Sequence, residues 1–429
     1  MGILAANLGG CGGSSGNPVD DVVGNSPANT ASGDTLAGVS IGDVALADCI
    51  ADTYGKDTLL SDITILECGS RSIQDLSGLE NFTSLTRLAV FDNQVSDIAP
   101  LGSLTNLVQL EIFGNNIADV TALSSLTMLE LLYAWDNQIE ELGAIGSLTK
   151  LTNLDLSMNN IKSVSALSTL TQVRNLSLGD NEIVDLTPLS GLRNLETLGL
   201  YRNEIGDIRP LASLTDLQQL YLFGNAVEDI SPLASLQNLI TLNVDDNRVS
   251  DLTSLANLTG LINLKLKRNN IEDISTLAAL TDLSQLNLDE NQISDVSALG
   301  GLQNLMELTL LGNRIDDVSA LASLSEIFFL DLRSNLLTDV SPLADLRTLV
   351  YLTLGGNRLT QAPSLAALEN LFSLDLENND LTSLQGLDAL TSLTYLFLEG
   401  NAELACSDVA TLEASLSRTV VFVPAQCSE

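Results

Sequence analysis

Hydrophobic positions in this chain keep a fixed distance from one recurring polar residue. Asn93, Asn115, Asn137, Asn159, Asn181, Asn203, Asn225, Asn247, Asn269, Asn291, Asn313, Asn335, Asn357, Asn379 and Asn401 follow one another every 22 residues without insertion or deletion. One cycle runs Leu110-Glu111-Ile112-Phe113-Gly114-Asn115-Asn116-Ile117-Ala118-Asp119-Val120, then Leu123, Leu126, Thr127 and Leu129. The Leu-x-Leu alternation predicts a short strand with one buried face. The Asn follows as the chain turns, and its side chain is expected to bond backbone groups of its own turn and the adjoining one. The rest of each cycle fits a short helical or 3₁₀ turn before the next strand. A polar residue stacked at one level in every cycle argues for a structural spine, not catalysis.

The frame L-x-L-x-x-N-x-I-x-D-[IVL]-x-x-L-x-x-L-[ST]-x-L is that of a leucine-rich repeat, whose units bury their apolar faces only against their neighbours. Over roughly residues 41 to 429 the chain resembles the internalin-like leucine-rich repeat proteins of bacteria. The expected fold is an α/β solenoid: a leucine-rich repeat horseshoe or arc with a parallel β-sheet on the concave side, 3₁₀ or short helices on the convex side, and disulfide-capped ends. Residues 66–405 hold the repeats. Residues 41–65 break the pattern, with Ile41, Val44, Leu46, Cys49 and Ile50 spaced as on a short amphipathic helix, and are expected to form an N-terminal cap. Residues 406–429 are expected to close the other end with a short helix and an apolar strand.

Five cysteines are present. Cys68 takes an inward strand position in a degenerate first repeat, where Arg71 replaces the ladder Asn, and Cys406 takes an inward position in the last. Disulfides Cys49–Cys68 and Cys406–Cys427 are expected, each stapling one end and contributing about 3 kcal/mol. They imply export; four reduced core cysteines in a cytosolic protein are the alternative. The fifth, Cys11, ends Leu8-Gly9-Gly10-Cys11, which resembles a bacterial lipobox, so residues 1–11 are expected to be a remnant lipoprotein signal with Cys11 lipidated. Gly12 would favour outer-membrane sorting in a Gram-negative cell, with the periplasm as the other exported location. An ordinary linker with one stray Cys is the plainer reading. Residues 12–40, rich in Gly, Ser, Asn, Asp and Pro, are expected to be a flexible linker.

Charge narrows the partners. With 55 acidic and 18 basic residues the net charge is -37, which sets the body of the protein against nucleic acid and anionic bilayers. Any membrane contact is expected through a lipid anchor only. The chain has no histidine, so a Ser-His-Asp triad, a Cys-His pair and a His-ligated zinc are excluded. No acid–base pair stands out, and neither an enzyme nor a cofactor is expected. Capped ends argue for a monomer.

Two further rows remain. Ser or Thr six positions past the Asn, followed by Pro, as in Thr187-Pro188, Ser231-Pro232 and Ser341-Pro342, predicts an N-cap with Pro at the first helical position. Two residues before it lie Asp75, Asp97, Asp119, Glu141, Asp185, Asp207, Asp229, Asp251, Asp273, Asp295, Asp317 and Asp339, expected to favour helix N-termini. Calcium collection by this row is a minor alternative.

Outward strand positions, two and four residues before each Asn, form two columns on the concave face. Aromatics are 4% of the chain, yet these columns hold Phe91, Phe113, Trp135, Tyr201 and Phe223 in one and Tyr133, Tyr221 and Phe397 in the other. Leu and Ile already fill the inward positions, so these rings are expected outside the core. They either stabilise neighbouring strands as a ladder or mark an interaction site. Lys265, Lys267 and Arg268 share one rung between Asp245-Asp246 and Asp289-Glu290. This rung is either an anion contact or lateral charge pairing.

The expected function is recognition of a protein or peptide across the concave aromatic face by a surface-anchored protein; the resemblance implies that concave aromatics hold protein partners. The candidate ligand-binding residues are Phe91, Phe113, Tyr133, Trp135, Tyr201, Tyr221, Phe223, Lys265, Lys267 and Arg268. A polysaccharide ligand and a structural spacer are the alternatives. A cytosolic regulator resembling the eukaryotic 22-residue-repeat phosphatase subunits fits the period, but not the cysteine pairs or the lipobox-like start.

Overall fold

The computed structural model describes residues 34–427. Cys11, the lipobox-like stretch and the linker up to residue 33 lie outside the described residues. Three-residue strands, from β1 (Ile65–Glu67) to β17 (Val420–Phe422), make a 17-stranded sheet. Each pairs in parallel with the strand one cycle on, so Leu88, Leu110, Leu132 and Leu154 stand in register. The sheet is open at both ends, and 3₁₀ turns line the convex side. Between the layers one core runs without interruption from Leu46 to Leu416. Each fully buried leucine contributes about 1.5–3 kcal/mol of transfer free energy.

The Asn ladder holds the turn together. Asn203 accepts a hydrogen bond at Oδ1 from the Ile183 amide at 2.9 Å. Its Nδ2 donates to the carbonyls of Leu178 at 2.9 Å, Leu200 at 3.1 Å and Tyr201 at 3.2 Å. One side chain thus ties two successive turns, satisfying backbone groups that no strand reaches. The same set recurs at Asn115 and Asn335. The residue just before each Asn is left-handed: Gly114 and Gly224 adopt φ of 63° and 70°, but Met158, Arg202 and Glu290 adopt 54°, 49° and 53°. A side chain there costs about 1–2 kcal/mol, which the bonds on either side of it offset.

The convex turns depart from expectation by one position. Thr187 is the first residue of the 3₁₀ segment Thr187–Gly191 and Pro188 the second, which puts Leu186 at the N-cap position, and the side chain that bonds the start of the turn is Asp185, whose Oδ1 accepts the Thr187 amide at 2.8 Å. Every other aspartate of the row does the same for the amide two residues on. A carboxylate two residues back reaches that amide in an Asx turn, so the hydroxyl residue is left with a supporting role. Glu141 makes no such bond, and the turn it precedes, Ile145–Ser147, is shorter.

Each end of the solenoid carries the expected disulfide. Helix α1 (Val44–Thr53) is capped by Asp43, which accepts from Leu46 and, through its other oxygen, from Gln74 and Asp75 of the first repeat. The disulfides are Cys49–Cys68 and Cys406–Cys427. Two details differ. Residues 34–40, assigned above to the linker, bond to the cap, with Leu36 donating to Thr58 and Ala37 to Lys56, and Leu36 and Val39 pack on the core; the boundary at residue 40 cuts through this structure. Cys406 is exposed instead of inward, because the chain leaves the repeat path there to begin helix α2 (Cys406–Ser415), whose Val409 and Leu412 fill the core.

Replacing Asn203 by Ala orphans one buried amide and loosens three carbonyls, at about 1–3 kcal/mol for an unsatisfied buried group. Denaturant unfolding is expected to register a loss of about 2–4 kcal/mol; a change below about 0.5 kcal/mol would mean that the spine is redundant.

Candidate binding surface

Parallel in-register strands carry identical columns along the sheet at a spacing of about 4.8 Å, close to the distance at which aromatic rings stack. Phe91 and Phe113 lie with centroids 4.7 Å apart and planes 7° from parallel, Phe113 and Trp135 at 4.4 Å and 11°, and Tyr201 and Phe223 at 4.8 Å and 3°. Each row starts on a glycine. Gly69 and Gly179 occupy the same column one rung earlier, and a Cβ on either would collide with the ring of Phe91 or Tyr201. The rings therefore lean toward the N-terminal end, and the first face of each row lies on backbone. All are half-buried, and inside each row the ring faces are taken up by neighbouring rings.

Tyr133 and Tyr221 stand in the neighbouring column and join no stack. Tyr133 pairs in register with Glu111 and Asp155, and burial, then those two carboxylates, pushes its phenol up. Tyr221 donates its hydroxyl to Gln219 Oε1 at 3.0 Å, and burial raises it too.

The basic rung is largely committed to its neighbours. Lys267 Nζ lies 3.1 Å from Glu290 and 3.9 Å from Asp289, and Arg268 lies 2.8 Å from Glu290 and 3.3 Å from Asp246. Lateral pairing accounts for both residues, whereas Lys265 forms no ion pair among the described residues. Next to them Asp245 accepts the Lys267 amide at 2.7 Å, and burial pushes its carboxyl up to about 6 against the pull of that amide and the two lysines.

Acids on the two sides of the solenoid are tuned in opposite directions. On the concave side burial raises Asp155, Asp289 and Asp375. On the convex side hydrogen bonds from the residue two positions on lower Asp119, Asp185, Asp229, Asp273 and Asp317, and the Arg209 side chain holds Asp207 down to about 2. Among the described residues no group of three or more acid or cysteine side chains lies close enough to hold a metal ion, and no helix is long and apolar enough to cross a membrane.

A third outward column lies beside the two that the Leu-x-Leu frame defines, in which Phe397 is the one aromatic of this region. The strands begin six residues before each Asn, and that first residue shares the outward parity. Phe329, Tyr351 and Tyr395 occupy it. With Phe372, Phe397 and Phe422 they form a continuous chain of ring contacts at 6.1, 5.9, 5.4, 6.5 and 4.5 Å. Unlike the stacked rows, Tyr351, Phe372, Tyr395 and Phe422 are exposed, at 36–38%. Counting parity back one more step from the Leu-x-Leu pair would have found the three column members.

The open parallel sheet, the 22-residue register and the Asn spine define a leucine-rich repeat solenoid. The family described as leucine rich repeats matches residues 127–170, 171–213, 193–235 and 215–257. An internalin of Listeria monocytogenes, InlF, is 34% identical, with 72% of this chain and 94% of that one covered and a TM-score of 0.70. The chain belongs to the bacterial internalin-like leucine-rich repeat proteins. A leucine-rich repeat protein of Leptospira interrogans shares the fold at 22% identity, covering 90% of this chain and 96% of that one with a TM-score of 0.72. The plant peptide hormone receptor RGFR1, solved in complex with RGF2, does so at 20% identity, 85% and 67% coverage and a TM-score of 0.68. No curated protein matches the chain, and no catalytic family is indicated.

Asp245 gives a pH signature. Its folded pKa of about 6 lies above the ordinary carboxylate value of about 3.9, so the folded state holds the proton more tightly. Its contribution is most favourable below about pH 4 and declines as pH rises through about 6. Asp245→Asn, which keeps the acceptor for the Lys267 amide, is expected to raise the melting temperature at pH 8 and to leave it nearly unchanged at pH 4. Equal shifts at both pH values would show that the carboxyl titrates normally.

Proposed function

We propose that the protein is a recognition module that binds a protein or peptide partner across its concave face, using the stacked rows Phe91–Phe113–Trp135 and Tyr201–Phe223 as anchors. The observation that carries this is the placement of rings in outward columns, where the core has no use for them and the glycine before each row makes room. Rigid, half-buried aromatics lose little entropy on binding and dominate interface energetics. Tyr133 and Tyr221 flank the rows with hydroxyls, and Lys265 supplies a cation that forms no ion pair among the described residues. Lys267 and Arg268 would meet a ligand only through exchange with their present partners. Internalins and the plant receptor named above share this architecture, and the receptor holds a peptide hormone; for this chain the reading rests on its own rings.

Stacking also bears on the polysaccharide alternative. Sugars dock on aromatic faces, and here neighbouring rings already cover the inner faces, which supports a peptide over a glycan. Surface anchoring belongs to the same proposal: the lipobox-like Leu8-Gly9-Gly10-Cys11 would tether the solenoid through a lipid on Cys11, and two disulfides suit an exported protein.

Trp135, the only tryptophan, reports on the site directly. Titrating the protein with peptide and protein fractions of cell surfaces is expected to shift its emission saturably, with the shift lost when the fraction is protease-treated. Phe113→Ala together with Tyr201→Ala is expected to weaken binding at least tenfold, about 1.4 kcal/mol, with far-UV circular dichroism unchanged. Unchanged affinity in that variant would move the partner to another face; a shift abolished by glycosidase would favour the glycan.

A further inference from the structure

The C-terminal end of the concave sheet differs from the stacked rows in geometry and charge. Between Phe329 and Tyr351, Tyr351 and Phe372, and Phe372 and Tyr395 the planes are turned by 47°, 69° and 73°, so the rings do not cover one another face to face. The chain of rings crosses the strands Phe329–Asp331, Tyr351–Thr353, Ser373–Asp375 and Tyr395–Phe397 and ends on β17, where Phe397 stacks on Phe422. Its span of four strand spacings, about 19 Å, matches six or so residues of extended peptide. A contiguous exposed apolar strip of this kind marks an interaction site.

Acids run beside the strip. Asp375 is in register with Phe397, and Glu377 and Glu399 lie two residues farther along the same two rungs, about 7 Å to the side. Asp375 leans over Gly355 of the preceding rung, where a Cβ would come within 2.9 Å of its carboxylate. Among the described residues none of these three acids forms an ion pair. Arg333, the cation whose charge bears on Asp375 and Glu377, is engaged by Asp331 at 2.6 and 3.0 Å. Two like charges on neighbouring rungs are unfavourable. Burial, Glu399 and Asp375 push the Glu377 carboxyl up to about 7, with Arg333 opposing. A cation placed between Glu377 and Glu399 relieves that repulsion, and the adjacent rings add cation–π attraction.

We propose that this end of the sheet is a second docking site, for an extended peptide segment in which Lys or Arg side chains alternate with apolar ones. The apolar side chains lie on Tyr351, Phe372, Tyr395 and Phe397, and the cations reach across to Glu377 and Glu399. A second copy of this chain is a poor occupant, since it would bring its own net charge of -37 against the same acids. The site stands apart from the stacked rows and does not depend on their binding anything.

The test uses the full chain at physiological ionic strength and a fluorescein-labelled ten-residue peptide of alternating Lys and Leu, followed by anisotropy. Peptides of alternating Lys and Ser and of alternating Glu and Leu are the comparisons. Saturable binding of the Lys–Leu peptide, at least tenfold tighter than either comparison, is expected. Both Glu377→Gln/Glu399→Gln and Tyr351→Ser/Tyr395→Ser are expected to weaken it at least tenfold. Glu204→Gln/Glu272→Gln, which removes as much charge from exposed positions elsewhere, is expected to leave it unchanged. Circular dichroism and melting curves verify folding of each variant. Equal loss in both glutamate pairs would reduce the effect to net charge and overturn the proposal, as would equal binding of the Lys–Ser peptide or no binding at all. Displacement of the peptide by a neutral soluble glycan, or self-association abolished by the tyrosine pair, would assign the strip to that other occupant. Trp135 emission monitors the stacked rows separately, so the two sites can fail independently.

Discussion

The carboxamide of the ladder Asn is the interaction on which the rest of the structure depends. Its oxygen and nitrogen reach backbone groups 20 and 25 residues earlier as well as two carbonyls of its own turn. Such a bond set admits only one spacing between turns. An insertion between two ladder positions would separate the amide from its acceptor and leave both buried without partners. The same bonds hold the preceding residue left-handed even where it is Met158 or Arg202. Strain at a side-chain-bearing position persists only where the surroundings overdetermine it, and here they do so rung after rung.

Strict spacing has a consequence on each face. Every cycle delivers its side chains to the same columns, so a column of acids or rings is a line of near neighbours about 4.8 Å apart. On the convex side each aspartate is occupied with the amide of its own turn, and such bonds hold Asp119, Asp185, Asp207, Asp229, Asp273 and Asp317 in the charged form. That contribution is present above the ordinary carboxylate range and is lost as pH falls through the lowered values. On the concave side the closeness of adjacent rungs shields Asp155, Asp245, Asp289 and Asp375 from water and raises them. Their contribution is most favourable below the ordinary carboxylate range and declines as pH rises through the raised values. One acidic sequence therefore carries two opposing dependences on pH, sorted by side of the solenoid.

Much of this was legible because the structural period equals the sequence period. The spine, the parallel register, the inward leucines, the two disulfides and the outward parity of Phe91, Phe113 and Trp135 all follow from counting. What escaped counting is instructive. Ser, Thr and Asp all cap helices, and only geometry decides that Asp185, not Thr187, holds the amide. Residues 34–40 carry linker-like composition, and the anchoring by Leu36 and Val39 is too sparse to give a period. Cys406 sits on the 22-residue count but at a point where the path has already left it. Phe329, Tyr351 and Tyr395 lie one parity step ahead of the frame that the leucine pairs suggest, and Phe372 lies outside that parity altogether.

The two aromatic groups show how a rigid scaffold yields different surfaces from the same side chains. In the column two residues before the Asn, rings on consecutive rungs lie parallel and each takes up its neighbour's face, whereas in the column six before it Phe329 and Tyr351, equally in register, are turned by 47°. The first arrangement makes the rings a stiff rib. Where they alternate between columns, as from Tyr351 to Phe372 to Tyr395, no common plane is imposed and edge-to-face packing follows. These rings stay exposed, at 36–38%, and the acids of the adjoining column are within reach of whatever lies on them. Column choice, a matter of one or two residues in sequence, thus decides whether an aromatic braces the sheet or is presented to a ligand.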